Sequence, residues 1–279
     1  MKWGAVLTTI ALLGVAGCAD SDTRSTNTPA ERFEGKLEVC AWPGVPGDVW
    51  CGTFDVPEDR SVEGGRVIGL RVAVLPATGD SVPEADAVTF LAGGGVVPAT
   101  RYLPFFATAV SRLRESRDIV LVDQRGTGES NALDCDLPEP HLFEDGAGGA
   151  EYQEAYVVAL RACRDDTVAR AEPGQYTTWN AADDLDAVRD WLGYDQLSLW
   201  GASYGTKVAR VYMRRHPERA RAAVLHGVVP IERSMWPDLF PAADSALTQL
   251  IAVCDADPAC AGAYPDLEAR FSDLVGRLE

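Results

Sequence analysis

The chain has 279 residues and a formal net charge of −17, from 42 acidic and 25 basic residues. With 47% hydrophobic residues it can bury a full core, as one large domain or two smaller ones. The acidic balance, without any basic run, argues against nucleic acid as a partner. The excess of acid favours solubility and, more weakly, cationic substrates.

The first 18 residues have the pattern of a bacterial export signal. Lys2 supplies a positive start, and the apolar run at residues 6–15 is too short to span a membrane. The sequence Val-Ala-Gly-Cys at residues 15–18 resembles a lipobox, which implies that Cys18 becomes the lipid-carrying first residue of the mature protein. The alternative is an ordinary cleaved signal. We expect the chain on the periplasmic or extracellular side of a bacterial cell envelope, anchored to the membrane by lipid.

Six cysteines remain after Cys18, and an even number in an exported protein indicates disulfide bonds. Six cysteines allow 15 pairings. We expect sequential pairing, in which the first and last pairs each close a short loop that holds Gly or Pro. The expected pairs are Cys40–Cys51, Cys135–Cys163 and Cys254–Cys260. A zinc site is disfavoured because the chain has no Cys-x-x-Cys and only three histidines, and we expect neither a metal nor a cofactor.

Strands and helices alternate along most of the chain. Residues 66–75 alternate between apolar and polar side chains, which predicts a half-buried strand paired with a strand at residues 51–56. Further strands are predicted at residues 87–92, 119–122, 197–200 and 222–225, and helices at residues 102–114, 152–170, 181–192 and 204–215. The alternation predicts an α/β fold with a doubly wound, mostly parallel sheet.

The chain divides into four predicted segments. After the signal at residues 1–18, residues 19–36 are rich in Ser, Thr, Asn and Asp and are predicted to form a flexible tether. Residues 37–230 would form the α/β core. Residues 231–279 change to proline-punctuated helical sequence, which predicts the start of a helical cap over the sheet.

Two local contacts are also predicted. Asn180 is placed as the N-cap of the helix that follows it. Asp123 and Arg125 lie in a tight turn after a buried strand, and we expect an ion pair between them to fix that turn as a structural feature.

The most informative stretch is Gly-Ala-Ser-Tyr-Gly at residues 201–205, between a short apolar strand and a helix. This is the G-x-S-x-G pattern of a nucleophile elbow, in which a sharp turn pushes the serine hydroxyl out of the sheet. Gly201 and Gly205 flank Ser203 because side chains there would collide with the neighbouring strand and helix.

Three motifs in order resemble the α/β-hydrolase fold, and within it the secreted tripeptidyl aminopeptidases and proline iminopeptidases. They are Phe-Leu-Ala-Gly-Gly-Gly at residues 90–95, Asp-Gln-Arg-Gly-Thr-Gly-Glu-Ser at 123–130, and Gly-Ala-Ser-Tyr-Gly-Thr at 201–206. The resemblance implies that Ser203 is the nucleophile of acyl transfer. It also implies an oxyanion hole formed by the N–H of Tyr204 and by the glycine loop, at Gly94 and Gly95. The family usually has Gly-Gly-Pro-Gly there, and this chain has glycine in place of the proline.

The base that should activate the serine is not evident. In this fold the acid and the histidine follow the serine along the chain, and only His216 and His226 do so here. His216 ends the nucleophile helix on the side away from the site. His226 follows the strand at residues 222–225 near the site, and it is either a possible base or a hydrogen-bonded histidine at a strand end. Nothing recommends His141, which lies in a loop before the elbow.

We therefore expect this chain to be the N-terminal part of a longer hydrolase, with the last strands missing and a C-terminal half as an absent partner. The strand at residues 222–225 would then be an unprotected apolar edge. The leading functional hypothesis is a serine exopeptidase that releases N-terminal residues or short peptides, incomplete or inactive as this chain. The alternatives are a carboxylesterase for small esters on the same scaffold and a non-catalytic or complementing domain at the cell surface.

Overall fold

The fold is built on one mixed sheet of seven strands. The computed structural model describes residues 28–79, 83–138, 150–232 and 235–277. The strands are β1 (Glu38–Cys40), β2 (Val49–Pro57), β3 (Val67–Leu75), β4 (Asp86–Leu91), β5 (Ile119–Val122), β6 (Gln196–Ala202) and β7 (Ala220–His226). They lie in the order β1-β2-β3-β5-β4-β6-β7. The expected lipidation site Cys18 lies outside the described residues.

The α-helices of the described residues lie between the strands and after the last one. They are α1 (Pro29–Phe33), α2 (Leu103–Thr108), α3 (Ala150–Arg170), α4 (Thr178–Leu192), α5 (Tyr204–Arg215), α6 (Met235–Ala256), α7 (Pro258–Ala263) and α8 (Leu267–Gly276). Within the described ranges, none of these helices has both the length and the apolar character needed to span a bilayer.

The sheet confirms the predicted fold class. β4, β5, β6 and β7 pair in parallel, whereas β3 runs antiparallel to β5 and forms the predicted hairpin with β2. Every residue of β4 and β5 is buried, as expected for parallel strands that are covered on both faces. Because β4 lies between β5 and β6, the loops that follow these three strands meet at one edge of the sheet.

Two hydrophobic cores cover the two faces of the sheet. One contains Leu185 and Val188 of α4 together with Val208 and Tyr212 of α5. The other contains residues of α2, including Phe106. The sheet is therefore sandwiched between α4 and α5 on one side and α2 on the other, which fixes the position of the turn from β6 into α5.

The predicted tether is wrong at its C-terminal end. Residues 29–33 form α1, whose N-cap Thr28 and third residue Glu31 make a reciprocal capping box. Phe33 is buried in the core, and Arg32 pairs with the buried Asp118. An apolar anchor and an ion pair thus fold residues 28–36 onto the domain, although the composition around them is polar.

Two further local predictions are wrong. Thr177, not Asn180, caps α4, since the Thr177 side chain accepts a 3.2 Å hydrogen bond from the Asn180 amide. The helix predicted at residues 102–114 is only six residues of α-helix, in α2, followed by a 3₁₀ segment at Ser111–Glu115. Hydrophobic spacing does not distinguish these two helix types over such short lengths.

The three disulfide bonds join the cysteines that were predicted to pair. The Cα–Cα distances are 5.8 Å for Cys40–Cys51, 5.5 Å for Cys135–Cys163 and 5.1 Å for Cys254–Cys260. The first of these bonds joins β1 to β2, so it ties the short edge strand to the rest of the sheet.

β7 forms the other edge of the sheet, as predicted for the strand at residues 222–225. It pairs with β6 along its length, but Ala222, Ala223 and Val224 are exposed, and the Val224 side chain is 59% exposed. Apolar residues of this kind are typical of strands with neighbours on both sides. The helices α6 and α8 also expose large apolar side chains, including Phe240 and Leu274.

Candidate active site

Ser203 lies at the turn between β6 and α5 in a strained backbone conformation. Its φ is 50° and its ψ is −118°, and its side chain is exposed. A non-glycine residue at positive φ is uncommon, and it persists only where the surrounding structure holds it in place. The geometry is that of the predicted nucleophile elbow, with the hydroxyl directed away from the sheet core.

The glycines that flank Ser203 are required by close packing of the backbone. A Cβ on Gly201 would lie 2.6 Å from the carbonyl oxygen of Gly205. A Cβ on Gly205 would overlap the carbonyl oxygen of Leu91, at the end of β4. The start of α5 therefore rests directly on the strands beneath it, and this contact makes the turn sharp.

The backbone donors around Ser203 have different partners. The Ser203 amide donates a 2.8 Å hydrogen bond to the carbonyl oxygen of His226. Tyr204 is the first residue of α5, where an amide has no partner within the helix and the helix dipole favours negative charge. The Tyr204 N–H thus lies directly after Ser203, at a helix end that favours negative charge.

The glycine loop after β4 lies against the same turn. A Cβ on Gly93 would lie 3.2 Å from the Ser203 Cβ and 3.8 Å from its Oγ. Gly94 and Gly95 both have positive φ, 78° and 75°, and Gly95 lies against the Tyr204 ring. The predicted oxyanion donors are at Gly94 and Gly95, but of the three glycines it is Gly93, the first after the strand, whose Cβ position lies against Ser203.

This chain has Gly95 at the position of the proline in the Gly-Gly-Pro-Gly pattern, and the backbone conformation at that position excludes proline. Proline is restricted to a φ near −65°. Gly95 has a φ of 75°, which proline cannot adopt. The Tyr204 ring packs on Gly95, and its hydroxyl is 2.9 Å from the Thr178 hydroxyl at the start of α4. Glycine thus allows a loop conformation that packs against the Tyr204 ring, and Thr178 in turn contacts the Tyr204 hydroxyl.

Among the described residues, no histidine ring forms a hydrogen bond with the Ser203 hydroxyl. His226 is exposed, and it contacts the elbow through its backbone carbonyl and not through its ring. His216 follows α5, about 20 Å along the helix axis from Ser203 at 1.5 Å per residue. Its ring lies 2.9 Å from Asp183 and 3.7 Å from Asp186, which makes it a structural contact between α4 and α5. His141 lies outside the described residues.

The predicted ion pair between Asp123 and Arg125 is wrong, because the two side chains have separate partners. Asp123 accepts hydrogen bonds from the amide and hydroxyl of Thr100, at 2.9 and 3.1 Å. Burial raises the pKa of Asp123, and the hydrogen bonds from Thr100 oppose that shift. Arg125 instead binds Asp184 of α4 through two nitrogens of its guanidinium: Nε donates to one carboxylate oxygen and Nη2 donates to the other. The turn therefore joins the glycine-loop side of the site to α4.

No set of three or more His, Cys, Asp or Glu residues is placed to hold a metal ion in the parts of the chain that the structure describes. An exposed serine, a helix N-terminus and a glycine loop meet at one point, an arrangement that suits acyl transfer.

Comparison with known proteins agrees with this geometry. The family described as the alpha/beta hydrolase fold matches residues 91–251, which is more than half of the chain. Serine protease Hip1 of Mycobacterium tuberculosis is 32% identical over 205 residues, and the match covers 68% of this chain and 39% of that protein. Tripeptidyl aminopeptidase of Streptomyces coelicolor is 30% identical over 214 residues, covering 71% of this chain and 39% of that protein.

A third relative is proline iminopeptidase of Neisseria gonorrhoeae, 30% identical over 149 residues, with 52% of this chain and 34% of that protein covered. The matches thus span about two fifths of these relatives' length or less. The relatives are named as peptidases, and the family match contains the elbow at residues 201–205. The chain belongs to the α/β-hydrolase fold family.

Proposed function

We propose that this chain carries the nucleophile of a serine exopeptidase that releases N-terminal residues or short peptides. The observation that carries the proposal is the exposed, strained Ser203 beside the amide of Tyr204 and the Gly93–Gly95 loop. The similarity to proteins named tripeptidyl aminopeptidase and proline iminopeptidase supports the exopeptidase class. The net charge of −17 agrees with a substrate that carries a free ammonium group.

In the proposed reaction the Ser203 Oγ attacks the carbonyl carbon of the scissile peptide bond, and a base removes the hydroxyl proton. The negative charge on the carbonyl oxygen would be bound by the Tyr204 N–H and by the glycine loop, at Gly94 or Gly95. Loss of one such donor costs about 3 kcal/mol of transition-state stabilisation. The leaving amine takes the proton from the base, and water then hydrolyses the acyl-enzyme.

We propose that the acid and the base come from a polypeptide that extends the sheet beyond β7. Two observations support this. Neither His216 nor His226 forms a hydrogen bond with the Ser203 hydroxyl in the described structure. The open edge and exposed apolar residues of β7 lie directly beside the elbow, since Ala202 pairs with His226. A strand added at this edge would place the loop that follows it at the site.

We also propose that lipid on Cys18 holds the protein on the outer side of a bacterial membrane. The three disulfide bonds support an oxidising compartment. Replacement of Cys18 by Ala should release the protein from the membrane fraction. If the variant stays with the membrane after a high-salt wash, the lipid anchor is wrong.

The test compares two substrates on protein isolated under mild conditions from the bacterial envelope, so that associated polypeptides are retained. A tripeptidyl anilide should be cleaved, and the Ser203→Ala variant should cleave it at least a thousandfold more slowly. Cleavage of a short acyl ester alone would favour the carboxylesterase. Cleavage of neither substrate by the wild-type preparation would favour a non-catalytic surface domain.

A further inference from the structure

Thr206 makes a bridge that the proposed chemistry does not use. It lies in the first turn of α5 and is fully buried. Its hydroxyl donates a 2.6 Å hydrogen bond to the carbonyl oxygen of Ser203 and accepts a 2.8 Å hydrogen bond from the amide of Val229. The Thr206 amide also donates to the Ser203 carbonyl, at 2.9 Å. One side chain thus joins the nucleophile turn to the segment that follows β7.

That segment is fastened to the same helix at further points. The carbonyl oxygen of Val229 accepts a hydrogen bond from Arg210 of α5, at 3.3 Å, and Ile231 packs against the core. The carbonyl oxygen of His226, at the end of β7, accepts from the Ser203 amide. Ser203 is therefore held on both of its backbone polar groups, directly by His226 and through Thr206 by Val229.

These contacts bear on the strain at Ser203. A serine at a φ of 50° relaxes toward ordinary angles unless its neighbours oppose the change. The two hydrogen bonds to the Ser203 carbonyl and the one from its amide fix the peptide planes on either side of the residue. The direction of the hydroxyl and of the adjacent Tyr204 N–H depends on those planes.

We propose that Thr206 is a positioning residue for Ser203, and that its hydroxyl couples the turn to the segment after β7. The proposal rests on the proposed function of Ser203. A buried threonine hydroxyl that only completed the hydrogen bonding of the helix end would affect stability but not the reactivity of Ser203. The two roles therefore predict different kinetics.

Thr127 provides a matched control. It is buried, and its hydroxyl donates a 2.9 Å hydrogen bond to the carbonyl of Gln124, three residues earlier, as Thr206 does to Ser203. The test uses Thr206→Val, which keeps the shape and removes the hydroxyl, and Thr206→Ser, which keeps the hydroxyl. Thr127→Val removes the corresponding hydrogen bond from the Thr127 hydroxyl to the Gln124 carbonyl. If Thr206→Val does not fold, Thr206→Ala is used in its place.

The first measurement is the reaction of Ser203 with a fluorophosphonate, in the protein isolated from the envelope. We expect Thr206→Val to lower the maximal reaction rate about tenfold with an unchanged half-saturating concentration. Thr206→Ser should stay within about twofold of wild type, as should Thr127→Val. Equal maximal rates for Thr206→Val and wild type, or an equal loss in Thr206→Ser, would overturn the proposal.

The second measurement separates this proposal from the proposed function. If wild-type Ser203 does not react, the proposed function fails. Amide hydrogen exchange still tests whether the Thr206 hydroxyl couples Ser203 to Val229. Thr206→Val should speed exchange at the Ser203 and Val229 amides at least tenfold, while Thr206→Ser and Thr127→Val should not. Unchanged exchange at both amides in Thr206→Val would show that no coupling exists.

Discussion

The amide of Ser203 donates a 2.8 Å hydrogen bond to the carbonyl oxygen of His226, so the elbow is joined directly to the end of β7. The next amide, that of Tyr204, lies at the N-terminus of α5, where the first amides have no partner within the helix. The hydrogen bond from Ser203 to His226 also places the exposed edge of β7 beside the candidate nucleophile. The elbow, the helix end and the sheet edge are therefore one structural feature.

The close approach of α5 to β4 gives the first prediction. Gly205→Ala should prevent folding or abolish fluorophosphonate labelling, because the new Cβ would overlap the backbone of Leu91. Gly262→Ala is the matched control in α7, where a Cβ meets nothing within 4 Å. That change should be neutral or stabilise the protein by about 0.5–1 kcal/mol. Urea unfolding of both variants checks this, and a native-like Gly205→Ala would contradict it.

The glycine loop gives the second prediction. Gly95→Pro restores the residue that is usual in the family but requires a φ near −65°. Since Gly95 has a φ of 75°, we expect the loop to move and labelling of Ser203 to fall at least tenfold. Gly64→Ala is the control, because it forces a side chain onto a φ of 70° in a turn where a Cβ meets nothing within 4 Å. Undiminished labelling of Gly95→Pro would show that the loop conformation is not required.

The buried pair between Arg125 and Asp184 gives the third prediction. The side chains are 1% and 3% exposed. Arg125→Met should lower the free energy of unfolding by about 3 kcal/mol, because it leaves the buried Asp184 with only the more exposed Arg60 as a cationic partner. The double variant Arg125→Met with Asp184→Leu should lose less than the two single changes together.

Denaturant unfolding measures these values, with Arg164→Met as the control. Arg164 pairs with Asp165, but both side chains are about two thirds exposed, at 67% and 66%. Its loss should change the free energy of unfolding by no more than about 0.5 kcal/mol. If Arg125→Met cost no more than Arg164→Met, the buried pair would not stabilise the turn.

The contact of α4 with α5 gives a pH-dependent prediction. Burial would raise the pKa of Asp183, but hydrogen bonds from Arg215 and His216 outweigh it and hold the pKa below its ordinary value. A carboxyl with a depressed pKa stabilises the fold above its unfolded pKa, near 4, and loses that contribution as pH falls through the folded pKa. Asp183→Asn should therefore destabilise the protein at pH 7, with a difference that shrinks toward pH 2.

Urea unfolding of wild type and variant across this range tests the sign. The exposed Asp165 supplies the control substitution, Asp165→Asn, which should have little effect on stability at pH 7. A destabilisation by Asp183→Asn that stayed constant between pH 7 and pH 2 would show that the charge of Asp183 does not matter.

The elements that sequence patterns located best are those with one dominant signal. β5 was predicted with its observed bounds, because four consecutive apolar residues between polar turns define a buried parallel strand. The glycines that flank Ser203 indicated that side chains would not fit there, and the structure shows this close packing at Gly201 and Gly205. The sequential cysteine pairs were found because two of them close short loops.

Contacts between distant segments were not accessible from local patterns. The partner of Arg125 lies 59 residues away on α4, whereas the sequence offered Asp123 two residues away. The hydroxyl of Thr206 accepts a hydrogen bond from Val229, 23 residues further along the chain in the segment after β7, and no spacing rule predicts that bond. α1 was missed because a helix of five residues is too short to show a hydrophobic periodicity, although Thr28 and Glu31 have the spacing of a capping box.

Mass-spectrometric mapping of a fluorophosphonate adduct, on protein in its bacterial envelope, tests most directly whether Ser203 is a nucleophile activated by an added polypeptide. We expect an adduct on Ser203, absent from the Ser203→Ala variant, that forms at least tenfold faster in the envelope than on the chain purified alone. Equal rates in the two preparations would contradict a base supplied by an added polypeptide. No adduct on Ser203 in the envelope would contradict Ser203 as the nucleophile of a hydrolase.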